Sequence, residues 1–364
     1  MKLVLAATLI VVGAFAAENS FEGFPPVQAG KRTFDKITSD GVPGLLRPKW
    51  TRAMGDVGGW PAMFRFKDAI FLSFPRVNGH LGRAKTPEAP IARFVSRDEG
   101  RTWTELPPMT GVQSGEFVVA GDTIFRYDFD TRRHTRVRTS TDGIAWTEPR
   151  DIYEDGLWLW GAHYDARTRT FWAPPHRITD TEPRQIHLIT SQDGIEWRKV
   201  ARVHFNQSES ESTLRLEPDD TMLVLIRQKY GAKSWLATAR PPYQDWQIKT
   251  FPFIVEGEHF FDIGGQRFVG SRANYKGDDA EINANPKLFG NRNDYSMIYR
   301  FTADRDLVPW AVMDSVGDCS YPHLVETRDE VLCAYYSMHE DRRCKVFLCA
   351  YDKAAFLAGP TRSP

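Results

Sequence analysis

The chain has 364 residues, with 47 basic and 47 acidic side chains and a pI near 7.1. Balanced charge leaves no electrostatic footprint for nucleic acid and excludes a charge-steered partner. A hydrophobic content of 41%, with 13% aromatic residues, excludes global disorder and is ample for a packed core.

Met1-Lys2 is a minimal basic start, Leu3 to Ala14 is an apolar run, and Ala14-Phe15-Ala16 is a small-x-small cleavage pattern. Residues 1–17 therefore read as a secretory signal peptide. The run is short for a membrane span, and nothing later in the chain is long and apolar enough to cross a bilayer. The expected product is exported, periplasmic or extracellular, with no stable membrane span. Residues 18–48 are Gly- and Pro-rich without periodicity and read as a leader or belt. Residues 49–358 form one domain, and 359–364 a tail.

A repeat dominates that domain. Ser96-Arg97-Asp98-Glu99-Gly100-Arg101-Thr102-Trp103 recurs as Ser140-Thr141-Asp142-Gly143-Ile144-Ala145-Trp146 and as Ser191-Gln192-Asp193-Gly194-Ile195-Glu196-Trp197. The copies start 44 and 51 residues apart, and weaker echoes end in Trp246 and Trp310. Asp and Gly suit a tight hairpin, the carboxylate bonding nearby N–H groups and Gly taking positive φ. The Trp is expected to fold back over the turn. Short strand-like runs flank each copy, among them Ala69–Phe74, Gln185–Thr190 and Met222–Ile226. A strand-rich unit repeated at this spacing predicts an all-β propeller of six blades, with five as the alternative. The leader is expected to pair with the last blade and close the ring. A calcium-loop reading of Asp98, Asp142 and Asp193 lacks the oxygen ligands such a loop needs; no metal or cofactor is expected. Cys319, Cys333, Cys344 and Cys349 fall within the last 46 positions, which allows one or two disulfides or free buried thiols.

The three full repeats resemble the Asp box, or BNR repeat, of sialidases, and the resemblance implies a sialidase-like six-bladed propeller. That family uses a Tyr nucleophile activated by a Glu, three arginines that clamp the substrate carboxylate, and an acidic proton donor. Ser210-Glu211 through Ile226-Arg227 is similar to its strand–turn–strand hairpin, with Glu and Arg 16 residues apart. The similarity implies Glu211 as base partner and Arg227 as one clamp arginine, with Glu209 a rival on the same alternation face. Gly317-Asp318-Cys319-Ser320-Tyr321 is similar to the nucleophile strand and makes Tyr321 the candidate. A phenol alone is a weak nucleophile, so a neighbouring carboxylate is chemically required. Phe268-Val269-Gly270-Ser271-Arg272 supplies a second clamp arginine, Arg272, with Arg267 and Arg300 as competitors.

The chain also departs from the pattern. Gly59-Trp60-Pro61-Ala62-Met63 puts Gly where the first arginine belongs, and Ser337 stands where the family has a Glu. Arg52 and Asp56 precede the motif and are candidate compensations. Near the family's proton donor the chain offers Arg76, a further substrate-binding candidate, and His80, suited to proton transfer near neutral pH. Trp158 and Trp160 share one face and offer either a sugar subsite or interblade packing. The resemblance implies a retaining exo-glycoside hydrolase acting on a terminal acidic sugar of a glycan or glycoconjugate. The alternatives are a propeller enzyme of other specificity, a uronic-acid glycosidase or polysaccharide lyase, and a non-catalytic carbohydrate-binding propeller.

Overall fold

The computed structural model describes residues 45–79, 89–109, 115–129, 134–153, 156–177, 184–203, 209–228, 234–251, 255–275, 293–341 and 343–360. The expected signal peptide and most of the leader lie outside them. So does the end of the tail.

The chain opens with β1 (Trp50–Ala53) and then builds blade 1 from β2 (Ala62–Phe66), β3 (Ala69–Pro75), β4 (Ile91–Ser96) and β5 (Thr104–Met109). Blade 2 holds β6 (Gly115–Ala120), β7 (Thr123–Phe129), β8 (Thr135–Ser140) and β9 (Arg150–Asp151). Blade 3 holds β11 (His163–Asp165), β12 (Thr170–Ala173), β14 (His187–Ser191) and β15 (Arg198–Arg202), with a side hairpin of β10 (Leu157–Trp158) and β13 (His176–Arg177). Blade 4 is β16 (Glu209–Leu216), β17 (Met222–Gln228), β18 (Trp235–Ala239) and β19 (Gln247–Thr250). Blade 5 is β20 (Val255–Ile263), β21 (Gln266–Tyr275), β22 (Asn293–Phe301) and β23 (Leu307–Val312). Blade 6 is β24 (Ser320–Glu326), β25 (Glu330–Ser337) and β26 (Lys345–Asp352), completed by β1. The result is a six-bladed β-propeller.

Burial follows position in the blade. The second strand of a blade is covered on both faces by neighbouring blades, so it reads as a continuous apolar run rather than an alternation. All seven residues of β3 are buried, whereas the outermost strands β5 and β19 are mostly exposed. Among the described residues the apolar core divides into six clusters, one at each blade boundary. The ring closes where β1 adds to β26, Trp50 opposite Ala350 and Ala53 opposite Phe347. Leu46, the end of the expected belt, bridges to Ala311 of blade 5. Helix α1 (Lys353–Ala358) follows β26 and buries Phe356 against Phe268, with ring centroids 4.8 Å apart.

The three full repeats form the turns between the third and fourth strands of blades 1 to 3. In each, the Ser hydroxyl donates to the Asp carboxylate, at 2.9, 3.0 and 2.9 Å. The carboxylates then accept the N–H groups of Thr102, Ile144 and Ala145, and Ile195 and Glu196. Trp103 and Trp197 fold back to donate to the carbonyls of Gly100 and Gly194, at 3.0 and 3.2 Å. The Trp310 echo differs: it lies inside β23, donating from Nε1 to the Phe356 carbonyl, because the turn of that blade comes earlier, at residues 302–306. All four cysteines are buried free thiols.

The repeat glycines do more than turn the chain. Each has positive φ, and a Cβ there would lie 2.3 Å from Leu332 at Gly100, 2.5 Å from Phe71 at Gly143 and 2.8 Å from Phe125 at Gly194. Each of those neighbours belongs to the preceding blade, so the loops clip adjacent blades together. Gly121 also has positive φ but has nothing within 4 Å of such a Cβ. Gly121→Ala should therefore cost only roughly 1–2 kcal/mol of backbone strain. Gly194→Ala should add overpacking of about 1–3 kcal/mol. Urea midpoints at constant m-value measure the difference, and equal losses would remove the clip.

Candidate functional site

Backbone kinks lie in or just before four inner strands, β2, β11, β20 and β24. Trp60, Gly161, Gly257 and Tyr321 all have positive φ, of 46, 60, 60 and 53°. The pairings of β16, β20 and β24 with their neighbours each shift register near their starts, between Glu209 and Ser212, Glu256 and His259, and Ser320 and His323. Such bulges re-aim side chains out of strict alternation. For a non-glycine residue the left-handed conformation at Tyr321 is strained, a feature concentrated at functional positions.

Room for Tyr321 comes from its neighbour. A Cβ on Gly257 would sit 2.8 Å from Ser320 Oγ and 2.9 Å from Tyr321 Cζ. The Tyr321 ring is buried, stacked near Tyr336 at 6.1 Å and edge-on to Trp160 at 5.5 Å. Its hydroxyl donates to Glu211 Oε1 at 2.7 Å. The other oxygen of Glu211 takes Nη1 of Arg227. Arg227 in turn donates from Nε to Glu256 Oε1 at 3.2 Å. Glu256 Oε2 accepts from Nε of Arg272 at 2.8 Å and lies 2.8 Å from its Nη2. Tyr321, Glu211, Arg227, Glu256 and Arg272 thus form one bonded chain of alternating charge.

Two sequence-level ambiguities resolve here. Glu211, rather than Glu209, carries the phenol contact, and Arg272 joins the chain while its competitors do not. Arg267 is paired with Asp262 and Glu217, and Arg300 lies over the Trp310 ring at 5.2 Å. Arg76 is not brought into the cluster. Its guanidinium pairs with Glu105 at 2.5 Å, on the outermost strand of its own blade. It leaves β3 beyond the last inward-facing position and turns outward. His80 lies outside the described residues. Gly79, just before it, packs against Asp318, whose Oδ1 accepts the Tyr336 hydroxyl at 2.7 Å.

The departures from the family pattern also have physical counterparts. Gly59 faces the Tyr336 ring, 3.8 Å from where its Cβ would be. Ser337 is buried, accepting the Val316 N–H at 3.0 Å. Arg52 does not compensate, since it stacks on Trp50 and donates to the carbonyls of Gly100 and Arg101 in the first repeat loop. Asp56 stands near Arg343 instead. Trp160 forms a wall of the site, and Trp158 packs edge-on to His176.

Sequence reasoning missed Glu256, Glu258, Tyr336 and Asp318. The one available signal was two carboxylates around Gly257 at the start of the strand Val255–Ile263, ahead of His259 and Asp262. Burial opposes the charge on Glu211, but Arg227 and the Tyr321 hydrogen bond outweigh it and hold the carboxyl down at about 2. Burial and the Glu211 charge push the Tyr321 hydroxyl well above its ordinary value. Glu258 is fully buried, and among the described residues neither carboxyl oxygen has a hydrogen-bond partner. Burial, then the Glu211 charge, push its carboxyl well above the ordinary carboxylate value. His176 is buried and held neutral, at about 4. A cavity of about 480 Å³ runs elsewhere among the inner strands, lined by Met63, Glu116, His163, Arg215, His259 and His323. There His259 bonds Glu116 at 2.8 Å. Among the described residues no group of three or more His, Cys, Asp or Glu could hold a metal ion.

This arrangement holds a phenol hydrogen-bonded to a fixed, ionised carboxylate, beside two guanidinium groups. No protein-family model matches the chain, and no curated protein is significantly similar. Solved structures do match. A protein of unknown function from Dyadobacter fermentans superposes at TM-score 0.68 with 15% identity, covering 86% of this chain and all of that one. Trypanosoma rangeli sialidase, solved with 2,3-difluorosialic acid as a covalent intermediate, superposes at TM-score 0.56 with 12% identity. That match covers 86% of this chain and 58% of the sialidase. The fold is that of the sialidase propellers. The phage phi92 endosialidase matches at TM-score 0.59 with 10% identity, over 83% of this chain and 68% of its own. The chain thus spans little more than half of the trypanosomal enzyme.

Glu211's depressed pKa makes it a stabilising group at neutral pH. Its contribution is complete above about pH 4.5–5 and is lost as pH falls towards about 2. Glu211→Gln should lower stability at pH 7 by roughly 3 kcal/mol, and the gap from wild type should close between pH 4.5 and 2. Urea midpoints across that range check it; a gap constant down to pH 2.5 would contradict the assignment.

Proposed function

We propose that the protein is a retaining glycoside hydrolase in which Tyr321 is the nucleophile and Glu211 its base. One observation carries this reading: a strained, buried tyrosine donates at 2.7 Å to a carboxylate that Arg227 keeps ionised. As Tyr321 Oη bonds to the anomeric carbon, its proton passes to Glu211 and the bond to the leaving oxygen breaks. That oxygen takes a proton from an acid, for which His80 is the candidate. In the second step water attacks the same carbon on the face opposite Tyr321 and gives its proton to the His80 candidate, which lost one in the first step, while Glu211 returns its proton to the departing phenolate. Two displacements retain the anomeric configuration.

The phenol's high intrinsic pKa makes the neighbouring carboxylate necessary. Trp160 and Tyr336 exclude water from one side of the ring, which strengthens the Glu211 interaction. A covalent intermediate in a neighbouring sialidase fold supports the same two-step course here. An acidic sugar, the substrate expected from resemblance, would need Arg227 and Arg272 to grip its carboxylate. The apolar run Leu3 to Ala14 supports action after export, and no helix of the described residues is long and apolar enough to cross a membrane.

Tyr321→Phe should fold normally and lose at least about 10³-fold in kcat on a glycoside the wild type cleaves. The first-formed sugar, followed by NMR, should keep the configuration of the substrate. An active Tyr321→Phe enzyme, or an inverted product, would remove the reading.

A further inference from the structure

We propose that Glu256 is a resident carboxylate filling the two-arginine clamp, so that the site accepts sugars with no carboxylate at the reacting carbon. This rests on the hydrolase reading and names the substrate class of the same site. Arg227 and Arg272 come from different blades, and their forks converge on one anion. That anion is already present as the side chain of Glu256, which takes Arg227 on one oxygen and Arg272 on the other. Two-point guanidinium bonding is what a bound carboxylate would otherwise receive.

Glu256 is not placed to swing aside. It sits directly opposite Arg272 in the β20–β21 register. Its N–H donates to Ser271 Oγ at 2.9 Å, and its carbonyl accepts Ser320 Oγ at 3.2 Å. Both partners of the pair are buried, Arg272 at 2% exposure and Glu256 at 6%. Displacing Glu256 would strand a carboxylate without its cations, which is strongly unfavourable in a buried site.

The remaining charges agree. Arg227 spends a further arm on Glu211, so within the bonded chain two guanidinium groups face two carboxylates and cancel. The place of a third clamp arginine is Gly59, beside the Tyr336 ring. A second anion would enter a charge-balanced chain flanked by the buried Asp318 and an aromatic wall. A neutral pyranose or furanose ring makes no such demand: its hydroxyls need only the partly exposed edges of Glu211 and Arg227.

The test combines binding and turnover. Free N-acetylneuraminic acid is titrated calorimetrically into wild type and into the near-isosteric Glu256→Gln, each first shown to keep a cooperative melt. Wild type should show no saturable binding up to 10 mM ligand, roughly the millimolar limit of weak association, and Glu256→Gln should bind at least tenfold more tightly than that limit. In parallel, wild type should cleave a neutral aryl glycoside from a panel of hexosides, 6-deoxyhexosides and pentosides, and leave aryl sialosides and uronides intact. Millimolar binding of the acid by wild type, or sialoside turnover, would overturn the proposal. So would a folded Glu256→Gln that gains no affinity. If Glu256→Gln fails to fold, the wild-type arms still decide. The hydrolase reading fails separately, when Tyr321→Phe cleaves the neutral glycoside as fast as wild type.

Discussion

The centre of this molecule is held by one run of alternating charges, from the Tyr321 hydroxyl through Glu211, Arg227 and Glu256 to Arg272. Its members come from three blades, so the run ties blades 4, 5 and 6 together at the axis. Buried ions persist only when each is paired and hydrogen-bonded. That requirement explains the kinks around them: bulges in β16, β20 and β24 turn side chains out of the ordinary alternation so that four charges meet. Gly257 gives Tyr321 its space, and Tyr321 adopts positive φ to use it. The rest of the propeller is a frame that keeps these strands in position.

That frame is built differently from the site. Each blade boundary has its own apolar cluster, and in the first three blades a glycine in the repeat loop presses on the blade before it. These contacts lie towards the periphery and are repeated. The contacts of the ion-pair run lie at the axis and are not repeated from blade to blade. A change in a repeat loop therefore acts on stability alone, whereas a change in the ion-pair run acts on stability and also on the chemistry and the choice of ligand.

The architecture was legible because periodic features carry it. Three Ser-x-Asp loops in register, with doubly covered second strands reading as apolar runs, imply blades, and the chain length divided by the repeat spacing implies six of them, with five as the alternative. Tyr321, Glu211 and Arg227 were proposed through the resemblance of two separate segments, Ser210–Arg227 and Gly317–Tyr321, and the fold brings the three together. Arg272 could be proposed but not separated from Arg267 and Arg300, since only a strand register decides which guanidinium faces inward. Glu256 was invisible for the same reason: its role depends on a bulge one residue away and on a partner across the sheet. Arg76 was misplaced because proximity in sequence to an inner strand does not fix the direction in which a long side chain leaves it. Trp310 imitated a repeat: Asp304 and Asp306 precede it but no Gly does, and the turn closes at residues 302–306.

Chemically, the arrangement separates two features that occur together in the resemblance from which it was first read. The phenol–carboxylate pair is intact, while the anion clamp is occupied from within and lacks one arm at Gly59. A tyrosine can serve any anomeric centre that reaches it, so losing the clamp alters what is bound before it alters how a bond is broken. The most direct test of the central claim is covalent trapping. Wild type is incubated with neutral and acidic fluorosugars that carry a second fluorine as leaving group, digested, and mapped by mass spectrometry. The account predicts a glycosyl adduct on the peptide bearing Tyr321, attached through that side chain. An adduct on Glu211, Glu258 or any other carboxylate would contradict it.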